Sequence, residues 1–299
     1  MKTKLKISSL IGLISVIAIV GLMINGNSKA QNQSSKQNSH TEHSVSQNHS
    51  DGEHGTTHNH NAGETQENAQ AKLTVAQPIE PNKPIKLVID IQDQSGKTIS
   101  KFDTFQEQLM HLILVSEDLQ IFNHIHPEYK GNGRFEVTTQ FPKAGKYALF
   151  TDYKPTGQKE QVSVLNTEVP GNSNSVAKVD FNRNKTFGNT KANLGVSESS
   201  LTARKPVSFV FSLKDAATNQ PVKDLQPYLG ERGHLVIVKQ SSPLTKADYI
   251  HAHAHTMTNL PPGEVHFMTE FPQAGKYKLW GQFNRNGKIV TTDFWVNVK

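Results

Sequence analysis

Two segments of the chain place histidines at a spacing suited to metal binding. The first, residues 110–127, reads MHLILVSEDLQIFNHIHP and contains His111, His124 and His126. Side chains alternate between the two faces of a β-strand, so the two imidazoles of a His-x-His sequence lie on the same face. Imidazole nitrogen is a good ligand for copper, zinc and nickel. The segment therefore predicts a metal site at the end of a β-strand.

A β-hairpin in this segment would bring the third imidazole to the same place. The polar sequence SEDL separates two apolar runs, and a turn across Glu117 and Asp118 sets His111 directly opposite His124. Directly opposed residues share a face of the sheet, with Cβ atoms about 4.5 to 5.5 Å apart. We therefore expect a three-nitrogen site, with Glu128 as an outer carboxylate. A three-residue loop would instead turn the first imidazole away from the others.

The second segment repeats this pattern. It begins at Gly233 and reads GHLVIVKQSSPLTKADYIHAHAH. Its loop is longer, but the expected strand pairing again places the histidines on the same face of the sheet. Its candidate metal ligands are His234, His251, His253, His255 and His266. The thioethers of Met257 and Met268 suit Cu(I), although core packing is the commoner role of methionine.

The choice of metal follows from the ligands that the chain offers. There is no cysteine, so a metal would be held by imidazole, carboxylate or thioether groups. The affinity of such sites for divalent ions peaks at copper, which makes copper the first choice and zinc the alternative. Neutral imidazole is the ligating form, and binding should weaken below about pH 6. A purely structural role, in which His111 only hydrogen-bonds locally, is the competing interpretation.

The N-terminal part of the chain differs from the rest. Residues 1–30 combine a basic start, an apolar run and the small-residue exit Ser28-Lys29-Ala30, which is the pattern of a secretory signal peptide. The run is also close to the length of a membrane anchor. Residues 31–71 contain no aromatic residue except histidine and are expected to be disordered. Six histidines there favour a metal-collecting tail over a plain linker: His40, His43, His49, His54, His58 and His60.

These features set the expected location and exclude one class of partner. A cleaved leader predicts a periplasmic or secreted protein, and an uncleaved one predicts anchoring to the outer face of the inner membrane. The formal net charge is +6, but four of the lysines lie in the leader. What remains is close to neutral and has no basic stripe, so the sequence does not indicate a nucleic-acid partner.

The rest of the chain has the sequence pattern of an all-β protein. Short apolar runs separated by Gly, Pro and Asn predict an all-β fold, and in the first half they lie at residues 85–91, 110–115, 120–126, 133–141, 147–153 and 161–169. The second half repeats the first, since FPKAGKYALF at Phe141 corresponds to FPQAGKYKLW at Phe271. We predict two tandem immunoglobulin-like (cupredoxin-like) β-sandwich domains and a linker, at residues 72–169, 193–299 and 170–192. The linker is expected to contain one short strand at residues 176–181.

The repeated FPxAGKY sequence has a structural interpretation. Tyr147 and Tyr277 should open a strand with the ring buried and the hydroxyl bonded to backbone, as in the tyrosine corner of immunoglobulin-type sandwiches.

Taken together, the strand MHLILV, the turn SEDL, the segment FNHIHPE and the corner FPKAGKYALF resemble the secreted bacterial β-sandwich proteins termed YtkA-like and their tandem, His-rich relatives. The likeness covers most of both folded domains, and the first domain is the closer match. It implies an extracytoplasmic immunoglobulin-like or cupredoxin-like sandwich associated with the handling of copper or other heavy metals. The second domain departs from the pattern, because His-Ala-His stands where the first has His-Pro.

Three classes of function follow. The first is a non-enzymatic metal-binding protein that sequesters copper or delivers it to a periplasmic or membrane partner. The second is a zinc hydrolase or hydratase, because three-histidine zinc can activate water, although the sequence shows no well-placed general base. The third is a metal-free adhesion or partner-binding module, a role that tandem sandwiches also serve.

Overall fold

The computed structural model describes residues 68–75, 78–173, 176–254 and 259–299, and for His253 it describes the backbone alone. The signal peptide, the possible anchor and all six histidines of the His-rich tail were expected in a part of the chain that lies outside the described residues. His255 and Met257 lie outside them as well.

Eight described strands form the first sandwich. They are β1 (Ala69–Val75), β2 (Pro84–Asp93), β3 (Met110–Ser116), β4 (Phe122–Ile125), β5 (Glu128–Gly131), β6 (Arg134–Gln140), β7 (Gly145–Tyr153) and β8 (Gln161–Val169). They make two antiparallel sheets, in the orders β1-β2-β6-β5 and β4-β3-β7-β8. Each of the six predicted apolar runs corresponds to one of these strands.

The second sandwich repeats this arrangement with nine described strands. They are β9 (Asn184–Phe187), β10 (Thr190–Val196), β11 (Pro206–Asp215), β12 (Leu225–Gln226), β13 (His234–Lys239), β14 (Tyr249–His253), β15 (Glu264–Glu270), β16 (Gly275–Arg285) and β17 (Lys288–Val298). One sheet has the order β15-β11-β10-β9, and the other has the order β12-β16-β13-β14 with β17 also paired to β16. The prediction of an all-β fold built from tandem sandwiches is confirmed.

Alternation along the central strands explains how each sandwich forms a core. All seven residues of β3 are buried, because both faces of this strand are covered. Leu112 and Leu114 pack into the core of the first sandwich, whereas Ile113 and Val115 point the other way and belong to a separate apolar cluster. In the second sandwich Leu235 and Ile237 join its own core.

The separate cluster lies between the two sandwiches. It joins residues of the sheet β4-β3-β7-β8 to residues of the sheet β14-β13-β16-β17, which we call the two inner sheets. Phe122 stacks on Trp280 with ring centroids 4.8 Å apart, and Phe150 stacks on Tyr249 at 4.7 Å. Burial of these large apolar rings stabilises the contact between the sandwiches. The inner sheets therefore face one another across a packed interface.

Both expected tyrosine corners are present. The rings of Tyr147 and Tyr277 are buried. Each hydroxyl donates to the backbone carbonyl four residues earlier, at 2.8 Å to Lys143 and 2.8 Å to Gln273. The FPxAGKY sequences are thus folding elements, as predicted.

Three local expectations differ from the structure. Strand β1 begins at Ala69, inside the segment expected to be disordered, because it pairs with β2 along its whole length. Residues 176–181 form no strand, and Val176 and Phe181 are exposed. The strand in this region is instead β9, which pairs with β10. The second sandwich thus starts within the expected linker, since an edge strand needs backbone pairing and not a long apolar run.

Candidate metal centre

The hairpin of β3 and β4 positions the first set of imidazoles. Its register pairs Ile113 with His124, not His111 with His124 as the sequence suggested. The loop is longer than expected because Leu119 is drawn into the apolar cluster between the sandwiches, and the N–H of Ser116 donates to the carbonyl of Ile121. The observed register differs from the expected one by two residues. Because side chains alternate between faces, a displacement of two leaves the imidazoles on one face, the face that looks toward the second sandwich.

On this face three imidazoles come together. Ligand nitrogens of His111, His124 and His126 all lie within 4.8 Å of one another. Nδ1 of His111 is 3.0 Å from Nε2 of His124. The Nε2 atom of His126 is buried and has no hydrogen-bond partner among the described residues. The group provides a compact set of nitrogen donors.

The outer hydrogen bonds of this group determine its tautomers. Nε2 of His111 lies 3.2 Å from the carbonyl oxygen of Phe105, and Nδ1 of His124 lies 2.7 Å from Oε1 of Gln282. Carbonyl oxygens only accept, so both of these ring nitrogens carry hydrogen. In the neutral rings, the two nitrogens that face each other at 3.0 Å are therefore both lone-pair acceptors. A cation between or beside them satisfies both, whereas a hydrogen bond between two neutral acceptors is impossible.

The second sandwich builds the same arrangement. Nδ1 of His234 is 3.4 Å from Nε2 of His251. Nε2 of His234 lies 2.9 Å from the carbonyl oxygen of Tyr228, and Nδ1 of His251 lies 3.2 Å from Oδ2 of Asp152. The same tautomer argument leaves a lone pair on each of the two inward-facing nitrogens. In register, His253 is paired with His234.

These distances suit a metal ion. Two nitrogens that bind one tetrahedral ion at about 2.0 to 2.1 Å lie roughly 3.4 Å from each other. Histidines that bind a metal almost always donate their other ring N–H to a carbonyl, a carboxylate or water. His111, His124 and His251 all meet this condition. The donor set therefore fits a copper or zinc ion.

Burial keeps these rings neutral. It lowers the pKa of His111 far below its usual range, with a further contribution from the neighbouring histidines. The pKa of His124 falls to about 3, through burial first and the nearby His126 second, against a hydrogen bond to Gln282 that raises it. Burial lowers the pKa of His126 to about 4. All three rings are in the ligating form at neutral pH.

The two sets of imidazoles meet at the interface. The ring centroids of His111 and His251 are 5.7 Å apart, and those of His124 and His234 are 6.1 Å apart. Within one sandwich the separation of His111 and His124 is 5.3 Å. Rings of opposite sandwiches are thus nearly as close as rings of the same hairpin, so the imidazoles of the two hairpins form one cluster of rings.

Other expected ligands lie elsewhere. His266 is on β15 in the sheet remote from the interface, where its Nε2 lies 3.1 Å from Oε2 of Glu264. Its neighbours Val265 and Phe267 take the core-facing positions, so its ring points outward. Met268 is exposed on the same outer face. Glu128 is paired with Lys130 at 2.6 Å and is not part of the three-histidine group.

The supporting residues were not identified from the sequence. Phe105 and Tyr228 each stand six residues before the first histidine of their copy. Asp152 and Gln282 lie directly opposite these histidines on β7 and β16. A signal was present, because the repeat aligns Asp152 with Gln282. A polar residue at a buried strand position in both copies indicates a buried partner.

Fold and site define a tandem β-sandwich protein with a histidine cluster buried where its inner sheets meet. The chain belongs to the family described as Domain of unknown function (DUF8832), whose model matches residues 63–169 and 185–299. No curated protein matches the sequence. Within the described residues, no helix is long and apolar enough to cross a membrane.

The chain is similar to several solved structures. The Escherichia coli adhesin FdeC is 18% identical with a TM-score of 0.26, and the match covers 77% of this chain and 64% of that one. Invasin, a bacterial integrin-binding protein, is 11% identical over 75% of this chain and 39% of its own, with a TM-score of 0.22. Two fibronectin type III domains of chicken tenascin are 12% identical over 77% and 99%, with a TM-score of 0.22. This chain thus spans less than two thirds of FdeC, and these TM-scores are too low to indicate a function.

Proposed function

We propose that this protein is an extracytoplasmic, non-enzymatic metal-binding protein that sequesters or delivers copper, with zinc as the alternative ion, through its buried imidazoles. The main support is the pair of inward-facing nitrogens of His111 and His124, 3.0 Å apart. Their outer hydrogen bonds make both of them acceptors. A buried arrangement of this kind is favourable when a cation lies between the donors.

Histidine as an ordinary core residue does not account for this arrangement as well. A core histidine is stabilised when each ring nitrogen meets a complementary partner. In the first sandwich the acceptor nitrogens of His111 and His124 face each other, and burial lowers the pKa of His124 to about 3, which disfavours a bridging proton. A metal ion resolves the conflict without protonating either ring.

The choice of copper rests on the donor chemistry and on the resemblance to YtkA-like proteins. Imidazole sites rank copper above zinc in affinity. The signal-peptide pattern of the leader supports a location outside the cytoplasm, where the His-rich tail would raise the local concentration of the ion near the buried centre.

An enzymatic role is less well supported. A hydrolytic zinc needs a position that is open to water and substrate. His111 and His234 are 0% exposed and His251 is 2% exposed. This burial suits retention of an ion more than turnover of a substrate.

A metal-free adhesion or partner-binding module is the competing proposal. Its support is the fold, because tandem β-sandwiches also serve adhesion and partner binding. Fold alone does not determine function. The two proposals differ in one measurement, because only the first expects specific ion binding to the folded domains.

Metal titration of the full chain tests the proposal. We expect the native protein to bind Cu²⁺ or Zn²⁺ in stoichiometric amounts, and a His124→Ala/His126→Ala variant to lose the site of the first sandwich. A matched control is His266→Ala, which removes an imidazole from the outer sheet and should leave binding unchanged. The tail should be tested with its six histidines changed to asparagine, so that weak sites do not obscure the result. Equal uptake by the native protein and the His124→Ala/His126→Ala variant would remove the proposed site.

A further inference from the structure

The two halves of the histidine cluster are connected in a reciprocal way. His111 and Asp152 are directly opposed on β3 and β7, and His234 and Gln282 are directly opposed on β13 and β16. Asp152 accepts from His251 of the other sandwich, at 3.2 Å. Gln282 likewise accepts from His124 of the other sandwich, at 2.7 Å. Each sandwich thus orients one imidazole of its partner.

We propose that the pair His111 and His124 and the pair His234 and His251 form a single interdomain metal centre. In each pair the second histidine is oriented by an acceptor that the other sandwich supplies. This inference rests on the proposed metal-binding function and goes further, because it makes the first site depend on residues of the second domain. His124 is a ligand of the first sandwich, and Gln282 is its positioning residue in the second.

The physical basis is the effect of outer hydrogen bonds on a ligand. An acceptor on the far ring nitrogen fixes the tautomer and the ring orientation, and it makes the other nitrogen a stronger donor. Loss of such an acceptor typically lowers metal affinity about 10-fold to 100-fold. Gln282 is 5% exposed and Asp152 is 1% exposed, so water does not readily replace either group.

The positions of the rings support one centre over two independent ones. The centroids of His124 and His251 are 6.1 Å apart across the interface, and those of His111 and His234 are 6.5 Å apart. Within the second sandwich, the rings of His234 and His251 are separated by 5.6 Å. An ion on one pair therefore lies in the electrostatic environment of the other pair.

The two supporting acceptors differ by one charge. Asp152 offers a carboxylate to His251, whereas Gln282 offers a neutral amide oxygen to His124. A carboxylate behind an imidazole partly neutralises a bound cation. The Asp152 side of the centre should therefore respond to removal of charge as well as to removal of the hydrogen bond.

The test uses the full chain with the tail histidines changed to asparagine and Zn²⁺ as the probe, in competition with a chelator. Gln282→Leu should weaken Zn²⁺ binding by about 10-fold or more, although it lies outside the sandwich that contains His124. Gln282→Glu retains the acceptor and should restore binding. Gln240→Leu serves as the matched control and should have no effect, because Gln240 directly follows β13 at the end remote from His234.

A double-mutant cycle shows whether Gln282 acts through His124. If it does, His124→Ala combined with Gln282→Leu binds Zn²⁺ no more weakly than His124→Ala alone. Should Gln282→Leu fail to fold, Asp152→Leu removes the acceptor of His251 and provides the same test from the other side, and it should weaken binding by about 10-fold.

The outcomes separate the two proposals. Zn²⁺ binding that is as tight in Gln282→Leu as in the native protein would overturn the shared centre while leaving the metal-binding function intact. Where Gln282→Leu does not fold, unchanged binding in Asp152→Leu has the same meaning. A native protein whose folded domains take up neither Zn²⁺ nor Cu²⁺ would overturn the proposed function itself.

Discussion

His124 in the first sandwich donates its Nδ1 hydrogen to Oε1 of Gln282 in the second, at 2.7 Å. The two residues are 158 positions apart in the sequence. This buried bond crosses the interface and connects a candidate metal ligand to the opposite domain. In the proposed metal centre, this bond links ion binding to the way in which the sandwiches pack.

Metal should stabilise the folded protein. A ligand that binds only the native state raises its stability by about 2.7 kcal/mol when present at 100 times its dissociation constant. We therefore expect Cu²⁺ or Zn²⁺ to raise the melting temperature of the native chain and not that of His111→Ala/His234→Ala, measured by calorimetry with tail histidines replaced. An unchanged melting temperature of the native chain would favour the metal-free module.

The apolar interface should contribute strongly to stability. Trp280 is 3% exposed and stacks on Phe122 across the interface. Trp280→Ala should lower the free energy of unfolding by about 3 to 5 kcal/mol, measured by urea denaturation, through lost burial and a residual cavity. Phe181→Ala is the control, because Phe181 is 48% exposed and its loss should change stability by less than about 0.5 kcal/mol. Similar effects of the two changes would contradict a packed interface.

Removal of the hydroxyl should have different effects on stability at two buried tyrosines. The hydroxyl of Tyr277 donates to the carbonyl of Gln273 at 2.8 Å, so Tyr277→Phe should cost about 1 kcal/mol. The hydroxyl of Tyr249 is buried and has no hydrogen-bond partner within the described residues, and burial raises its pKa well above the usual value. Tyr249→Phe should be neutral or stabilising. A loss of stability in Tyr249→Phe equal to that in Tyr277→Phe would show that its hydroxyl has a partner.

The metal-free protein should lose stability in mild acid. The folded-state pKa of His124 is about 3 and that of His126 about 4, below the unfolded value near 6.5. The unfolded chain therefore binds more protons between these limits. The contribution of these histidines to stability is fully present above about pH 6.5 and is lost as pH falls toward about 3 to 4.

Urea midpoints measured from about pH 7 down to about pH 4 test this expectation. His124→Leu removes one of the buried rings and should make the decline shallower. Equal stability at both ends of this range would show that the folded state does not lower the pKa values of these histidines.

Much of the fold could be predicted from local pattern. The apolar runs, the turn residues between them and the repeated FPxAGKY corner predicted the main strands and both tyrosine corners, because alternation and turn preference act over a few residues. Strand β9 and the register of the first hairpin were not predictable in this way. Leu119 shows why, since the loop follows a tertiary contact between sandwiches and not its own turn preference.

The candidate site was likewise predictable only in part. The sequence by itself determined that His111, His124 and His126 share one face of a hairpin. It also showed that His234 and His251 repeat this arrangement, because the alternation of side chains between the two faces of a strand is a local property. Only the tertiary structure decided that both hairpins face the same interface, that Asp152 and Gln282 support the imidazoles of the opposite domain, and that His266 lies apart. Those relationships depend on which sheet covers which, and that is decided by apolar burial among residues far apart in the chain.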